Sequence, residues 1–394
     1  MRKITAFILL ALLVNFANAQ VQSIDIIKEA TDNPTIAITA FNGAPEAKQK
    51  LERMFALSGW FKVLPTNEAA KAQITVQAAA GSAQYALNLQ TSTKKISCQQ
   101  QGENLDQAAR RTVDDIIKQL FNVPGICDRK IIYVQPSPKN EYREICSIYL
   151  DGNGFDRLTK NGVISTEPCW GHANAFVYTL AKNNALHIVL VDAAKRVQRV
   201  VSSANGLNCS AALSRNGQFV SLAMSLDNQV DLYCLDLATN SRKRLTNDRS
   251  VESSPCWSPD GKQLCYVSDA TGMPKLYVIS TNGGSPKRLQ IGGGECVSPD
   301  WSPISNKICF SQKTSAGYVI NILDMKTPNA NPETVTNAAG DWEAPSWAPD
   351  GRHIVCTHTT GGKREIVIID TFFKTFRPVT DKAYYSLPAW QPAW

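Results

Sequence analysis

Two stretches of this chain are copies of one motif: Pro255-Cys256-Trp257-Ser258-Pro259-Asp260-Gly261 and Pro345-Ser346-Trp347-Ala348-Pro349-Asp350-Gly351. Looser copies centre on Trp170, Trp301 and Trp390. A sixth, Ala212-Leu213-Ser214-Arg215-Asn216-Gly217, puts Leu213 where the tryptophan stands elsewhere. The anchors Trp170, Leu213, Trp257, Trp301, Trp347 and Trp390 are spaced by 43, 44, 44, 46 and 43 residues. Five of the eight tryptophans fall on this register, which chance does not produce. A period of this length restricts the fold to repeated units that bury their faces against one another.

Between anchors the same three strand signals recur. A short apolar run comes first, as in FVYTL at 176, FVSLA at 219, LCYVS at 264, ICFSQ at 308 and IVCTH at 354. An alternating run ending near aspartate follows, and then a basic strand such as RKRLT at 242. Runs of β-branched and aromatic residues between Gly, Asn, Asp and Pro clusters read as strands joined by hairpins. With the anchor strand they make a four-stranded sheet, the blade of a β-propeller. The set beginning at Ile131 has no anchor before it, and Trp390 has no set after it. The segment Leu387–Trp394 is therefore expected to complete the blade begun near residue 130, closing a six-bladed ring over 129–394. A solenoid is the rival reading, and the complementary half-blades favour the circle.

The segment before the repeats is of another kind. Arg2 and Lys3, the apolar run Ile4–Val14 and Ala17-Asn18-Ala19 fit a signal peptide over 1–19, cleaved after Ala19. Residues 20–128 carry no anchor and predict a small α/β domain with a flexible N-terminal arm. Strands are expected at Thr35–Phe41, Phe61–Leu64, Ile74–Ala79, Tyr85–Thr91 and Lys95–Gln101. One helix starts at Pro45 and ends at Gly59, and a second is capped by Asn104 and stopped by Pro124-Gly125. The net charge of +7 falls to +5 without Arg2 and Lys3, and no Lys/Arg run reaches five, which argues against nucleic-acid binding. No stretch of membrane-spanning length follows residue 20.

Chemistry-bearing patterns are scarce. The eleven cysteines form no CxxC, and their odd number cannot all pair within the chain. Cys265, Cys309 and Cys356 recur at one place in successive apolar runs, as small buried hydrophobes do, so the thiols are expected to be mostly free. His172, His187, His353 and His358 include no HExxH, and the last two point to opposite faces of a predicted strand. A Gly-x-Ser-x-Gly elbow is absent. Asp151–Asp156 matches a calcium loop at two positions and fails at Phe155, Asp156 and Gly162, so it reads as a hairpin turn. No cofactor or metal is implied.

What remains is surface. In a propeller the loops entering the anchor strands gather at one mouth of the channel. Here they contribute Ser165 to Glu167, Asn208 to Ser210, Glu252 to Ser254, Glu295, Cys296, Ser298, Asp341 to Glu343, and Tyr384 to Ser386. Taken singly these read as solvated loop residues. As a ring holding five carboxylates and three large aromatics, they read as a binding face.

The order of parts, with WSPDG and WAPDG anchors and a closing LPAWQP, resembles the TolB family of Tol-Pal system proteins of Gram-negative bacteria, from the signal peptide to Trp394. The departures are Leu213, Ser305-Asn306 in place of Asp-Gly, the shifted Pro299-Asp300-Trp301, and the many cysteines. The resemblance implies a monomeric, non-enzymatic periplasmic adaptor that supports outer-membrane integrity and cell division, and in some bacteria is exploited by colicins. Its implied partners are the peptidoglycan-associated lipoprotein Pal, TolA and other Tol or outer-membrane proteins. By position, Pal contacts transfer to Leu207, Ser210 and Ser253; Glu252, Trp342, Glu343 and Tyr385 extend that set from the rim reading. TolA contact transfers to the arm Gln20, Val21, Gln22, Ser23, Ile24, Asp25, Ile26 and Ile27. That arm is β-prone and suited to strand addition, or else packs as an edge strand of its own domain. The alternative of a different class is a periplasmic propeller hydrolase or lyase acting on a small substrate in the channel.

Overall fold

A computed structural model describes residues 32–393 except 140, 173, 227–228, 328–330, 337 and 382. The expected signal segment 1–19 and the arm Gln20–Ile27 lie outside the described residues. Contacts divide the chain into two compact units, with the boundary between Val123 and Pro124.

In the first unit, β1 (Thr35–Asn42), α1 (Pro45–Leu57), β2 (Lys62–Val63), β3 (Ile74–Ala80), β4 (Gln84–Gln90), β5 (Lys95–Gln101) and α2 (Leu105–Phe121) follow in order. The sheet order is β2-β1-β3-β4-β5, with β1 parallel to both neighbours. Pro45 opens α1, where its missing N–H is not needed, and Ala47, Leu51, Met54 and Phe55 form its buried stripe. The Asn104 side chain accepts the Gln107 N–H at 3.0 Å, and Gln107 reaches back to the Glu103 N–H at 2.7 Å. This is the reciprocal capping arrangement with its return bond one residue early. α2 ends ahead of Pro124-Gly125, at Asn122, whose φ of 56° lets its N–H close on the Lys118 carbonyl. A 3₁₀ turn over Thr66–Lys71 carries no pattern that periodicity detects.

The second unit is built of sheets that are antiparallel but for one parallel strand pair. Four have four strands each, and every one starts with an anchor strand: Asn208–Leu213, Glu252–Trp257, Cys296–Trp301 and Asp341–Trp347. An eight-stranded sheet joins two further sets through one partner pair, Arg143↔Ile164. One set starts with the anchor strand Ile164–His172. The other is Lys130–Pro136, Arg143–Tyr149 and Asp156–Arg157 with the C-terminal strand Ser386–Trp390 paired onto Lys130–Pro136. Each anchor strand packs on the next, and Ser386–Trp390 packs on Ile164–His172 as well as on Asp341–Trp347.

The anchor motif explains itself at atomic level. Trp170, Leu213, Trp301, Trp347 and Trp390 are buried, while half-buried Trp257 donates its indole N–H to the Ala212 carbonyl of the preceding repeat at 3.0 Å. In the turn, the Asp260 carboxylate accepts the Ser258 hydroxyl at 2.7 Å and the Lys262 N–H at 3.1 Å. Gly261 then takes a φ of 70° that a side chain would resist. Asn216 does the same work beside the eroded anchor, accepting from Ser214 at 2.7 Å and from the Gln218 N–H at 3.1 Å. The basic strands end in a second repeated device. Hydroxyls of Thr159, Thr246 and Thr380 each accept a backbone N–H from the neighbouring strand, of Ile145, Leu232 and Ile366, at 2.9 Å.

Candidate protein-interaction rim

Every anchor strand is interrupted at the same place. Three residues before the anchor, Glu167, Ser210, Ser254, Ser298, Ala344 and Leu387 have φ between 50 and 52°. The strand ladder breaks around each, as between Ser253 and Cys256 or between Glu343 and Ser346. These are six copies of one β-bulge, a device that re-aims side chains at sheet ends. Proline at the next position (Pro168, Pro255, Pro299, Pro345, Pro388) fits because no ladder partner is waiting for an N–H.

The bulge sorts the rim residues into rows. Five residues before the anchor, Ser165, Asn208, Glu252, Cys296 and Trp342 are all buried. Strand alternation turns this row inward, which overturns two of the expected contact residues. Trp342, wholly enclosed, stacks on His358 at 3.9 Å, meets Phe376 edge-on and donates its N–H to the Ala338 carbonyl. Glu252 accepts from Ser268 at 3.1 Å and from Thr246 at 3.3 Å, and burial raises its pKa. Both side chains belong to the interior. Tyr385, in the same row, is half-buried against Tyr133.

The other expected positions stay open to solvent in part: Leu207, Ser210, Ser253 and Glu343 are half-buried. Ser210 is held by the preceding repeat, its N–H and hydroxyl both donating to the Glu167 carboxylate, at 2.8 and 3.2 Å. Sequence reasoning named Leu207, Glu295, Asp341 and Tyr384 of the row six residues before the anchors but missed Ile164 and Val251, and so the row itself. There Ile164 is 41 % exposed, Val251 49 % and Tyr384 62 %, with half-buried Leu207 in the same row. The signal was an apolar residue recurring at one repeat offset. The row's remaining members are Glu295 and Asp341. Glu295 accepts the Tyr318 hydroxyl, and Asp341 accepts the Tyr318 N–H at 2.9 Å. Burial, then the Glu295 carboxylate, push the Tyr318 phenol up to about 12, and Lys313 lies 4.4 Å over its ring.

Beyond the bulges lies a cavity of about 110 Å³ lined by all six anchor motifs. The residue before each anchor reaches it: Cys169, Ala212, Cys256, Asp300, Ser346 and Ala389. Asp300 accepts the Trp347 N–H at 2.7 Å, and burial pushes its carboxyl up to about 6. Ser346 accepts the Trp390 N–H at 3.2 Å in the same way. His353 and His358 are tied apart, to Asp350 at 2.6 Å and to Glu365 at 3.3 Å. Among the described residues no group of three or more His, Cys, Asp or Glu side chains is placed to hold a metal ion. None of the described helices is long and apolar enough to cross a membrane.

Fold and rim define a class: a β-propeller unit with a small α/β unit ahead of it. Residues 117–394 match the family described as TolB beta propeller domain, and the chain belongs to that family. The crystal structure of TolB from Acinetobacter baumannii is similar at TM-score 0.80 and 24 % identity, over 92 % of this chain and 97 % of that one. A putative TolB from Agrobacterium tumefaciens matches at TM-score 0.51 and 17 % identity, over 64 % of this chain and 89 % of that one. A chain of a nidogen/laminin complex reaches TM-score 0.54 at 10 % identity, over 67 % of this chain and 98 % of that one. At these identities the likeness is one of fold. No curated protein sequence matches the chain.

Proposed function

We propose that this protein is a periplasmic, non-enzymatic adaptor of the Tol-Pal system. Its propeller is a closed six-bladed ring that receives Pal at the rim ahead of the anchors, and its arm Gln20–Ile27 meets TolA. Closure is supported by the pairing of Ser386–Trp390 with Lys130–Pro136 and by a cavity that all six motifs line.

One observation carries the binding reading. Around such a ring, the row six residues ahead of the anchors reads Tyr384, Ile164, Leu207, Val251 and then Glu295, Asp341. Four neighbouring sectors are apolar and partly or well exposed, and two are acidic. An apolar collar with a charged flank is the make-up of a protein-docking surface, the apolar part supplying affinity and the charge orientation. Glu167, Glu252 and Glu295 are engaged in hydrogen bonds within or between the sheets, which suits a preformed surface better than acid–base catalysis. Ser210, Ser253, Glu343 and Tyr385 stand beside the collar and complete the proposed contact set.

Val251→Asp and Ser253→Arg should each weaken capture of the cognate Pal at least tenfold, about 1.4 kcal/mol. Melting temperature should not change. Absence of binding to the unaltered chain at high micromolar Pal, or wild-type affinity in both variants, would refute the adaptor.

A further inference from the structure

The residue before each anchor faces a fixed partner on the next strand, and these pairs differ from repeat to repeat. They are Cys169↔Val177, Ala212↔Ser221, Cys256↔Cys265, Asp300↔Cys309, Ser346↔Val355 and Ala389↔Ile132. In one repeat alone both partners are cysteine. We propose that Cys256 and Cys265 form a cross-strand disulfide when the chain folds under oxidising conditions.

Directly opposed residues of an antiparallel pair share a face, with Cα atoms about 4.5–5.5 Å apart. That lies inside the span of roughly 4.4–6.8 Å over which a disulfide closes. The register is firm here, since it resumes after the bulge with Cys256↔Cys265 and Trp257↔Leu264. Both side chains belong to one apolar cluster, Cys256 8 % exposed and Cys265 fully enclosed. They stand as thiols in the structure. Joining them releases two protons and two electrons, and a small disulfide oxidant such as oxidised glutathione takes these up to become two thiols.

Burial sets the timing. It holds the Cys256 thiol well above the ordinary thiol range, with the neighbouring Cys265 adding to the effect. Exchange requires a thiolate with access to the oxidant; burial disfavours the thiolate, Cys265 is fully enclosed, and Cys256 reaches only the cavity of about 110 Å³. The bond therefore forms while the strands are assembling and is inaccessible afterwards.

The test refolds the reduced, denatured chain in a mixture of oxidised and reduced glutathione, then unfolds it and alkylates. Trypsin separates the two residues by cutting after Lys262, so a bond appears as a linked pair of peptides, 250–262 with 263–275. Nine of the eleven cysteines should be alkylated, and the linked pair found. Cys265→Ala, checked for native circular dichroism, should refold without the link and leave every remaining thiol free. Folded reduced chain placed in the same mixture should keep eleven thiols for hours. Eleven free thiols after refolding, or a bond joining any other pair, would overturn the assignment; rapid oxidation of the folded chain would overturn its timing.

Discussion

Asp300 stands where other repeats carry cysteine, alanine or serine, and the substitution has a thermodynamic signature. Its carboxyl is pushed from 3.8 to about 6 by burial, so the folded state binds this proton more tightly than the unfolded chain does. The sign follows from linkage. This group's contribution to stability is most favourable below 3.8, falls as pH rises towards 6, and is flat beyond. Asp300→Asn keeps an oxygen for the Trp347 N–H and removes the buried charge. It should raise stability by about 1–3 kcal/mol at pH 8, and the gain should shrink towards zero near pH 4. Urea unfolding midpoints at the two pH values measure this, and a gain independent of pH would contradict it. Trp342 carries the opposite lesson. The sequence marks it as a large aromatic in a loop, which reads as surface, and only its position opposite His358 reveals that it is core.

At the scale of the element, the repeated bulge governs where the rim side chains go. Adopting the left-handed region costs a non-glycine residue about 1–2 kcal/mol. A β-branched side chain at such a site is worse still. Ala344→Val, at φ 51°, should therefore destabilise the protein by about 1–3 kcal/mol, while Ala344→Gly should be neutral or mildly stabilising. Equal unfolding midpoints for the two variants would exclude the bulge as a strained site. Strands and anchors were legible because alternation, turn residues and the tryptophan register all survive in the primary structure. The bulges were not, because a two-residue break in a ladder leaves no periodicity of its own. The recurring Pro two residues before the anchor was the trace it did leave. Missing it let three consecutive loop residues pass as one surface, when alternation turns Glu252 and Trp342 inward and leaves Val251 and Ser253 partly outside.

For the molecule as a whole, the C-terminal strand is the largest single dependence. Ser386–Trp390 buries Ala389 and Trp390 and supplies the anchor edge of the set that begins at Lys130. Losing one buried tryptophan costs about 3–5 kcal/mol, a large share of the 5–15 kcal/mol that holds a typical domain folded. Deletion of residues 386–394 should abolish a cooperative melt by circular dichroism and drive the chain to aggregate on size exclusion, through the unpaired edge at Lys130–Pro136. A cooperative transition near that of the intact chain would refute this dependence. The half-blades made this pairing readable in advance, since two incomplete ends have one way to satisfy each other. The pairing also sets a clock. The Lys130 N–H is held by Gln391, 261 positions away, and a ribosome takes roughly 13–50 s to traverse that interval. Until Gln391 is made, the strand Lys130–Pro136 of a nascent copy waits without the partner that pairs with it and holds its first N–H.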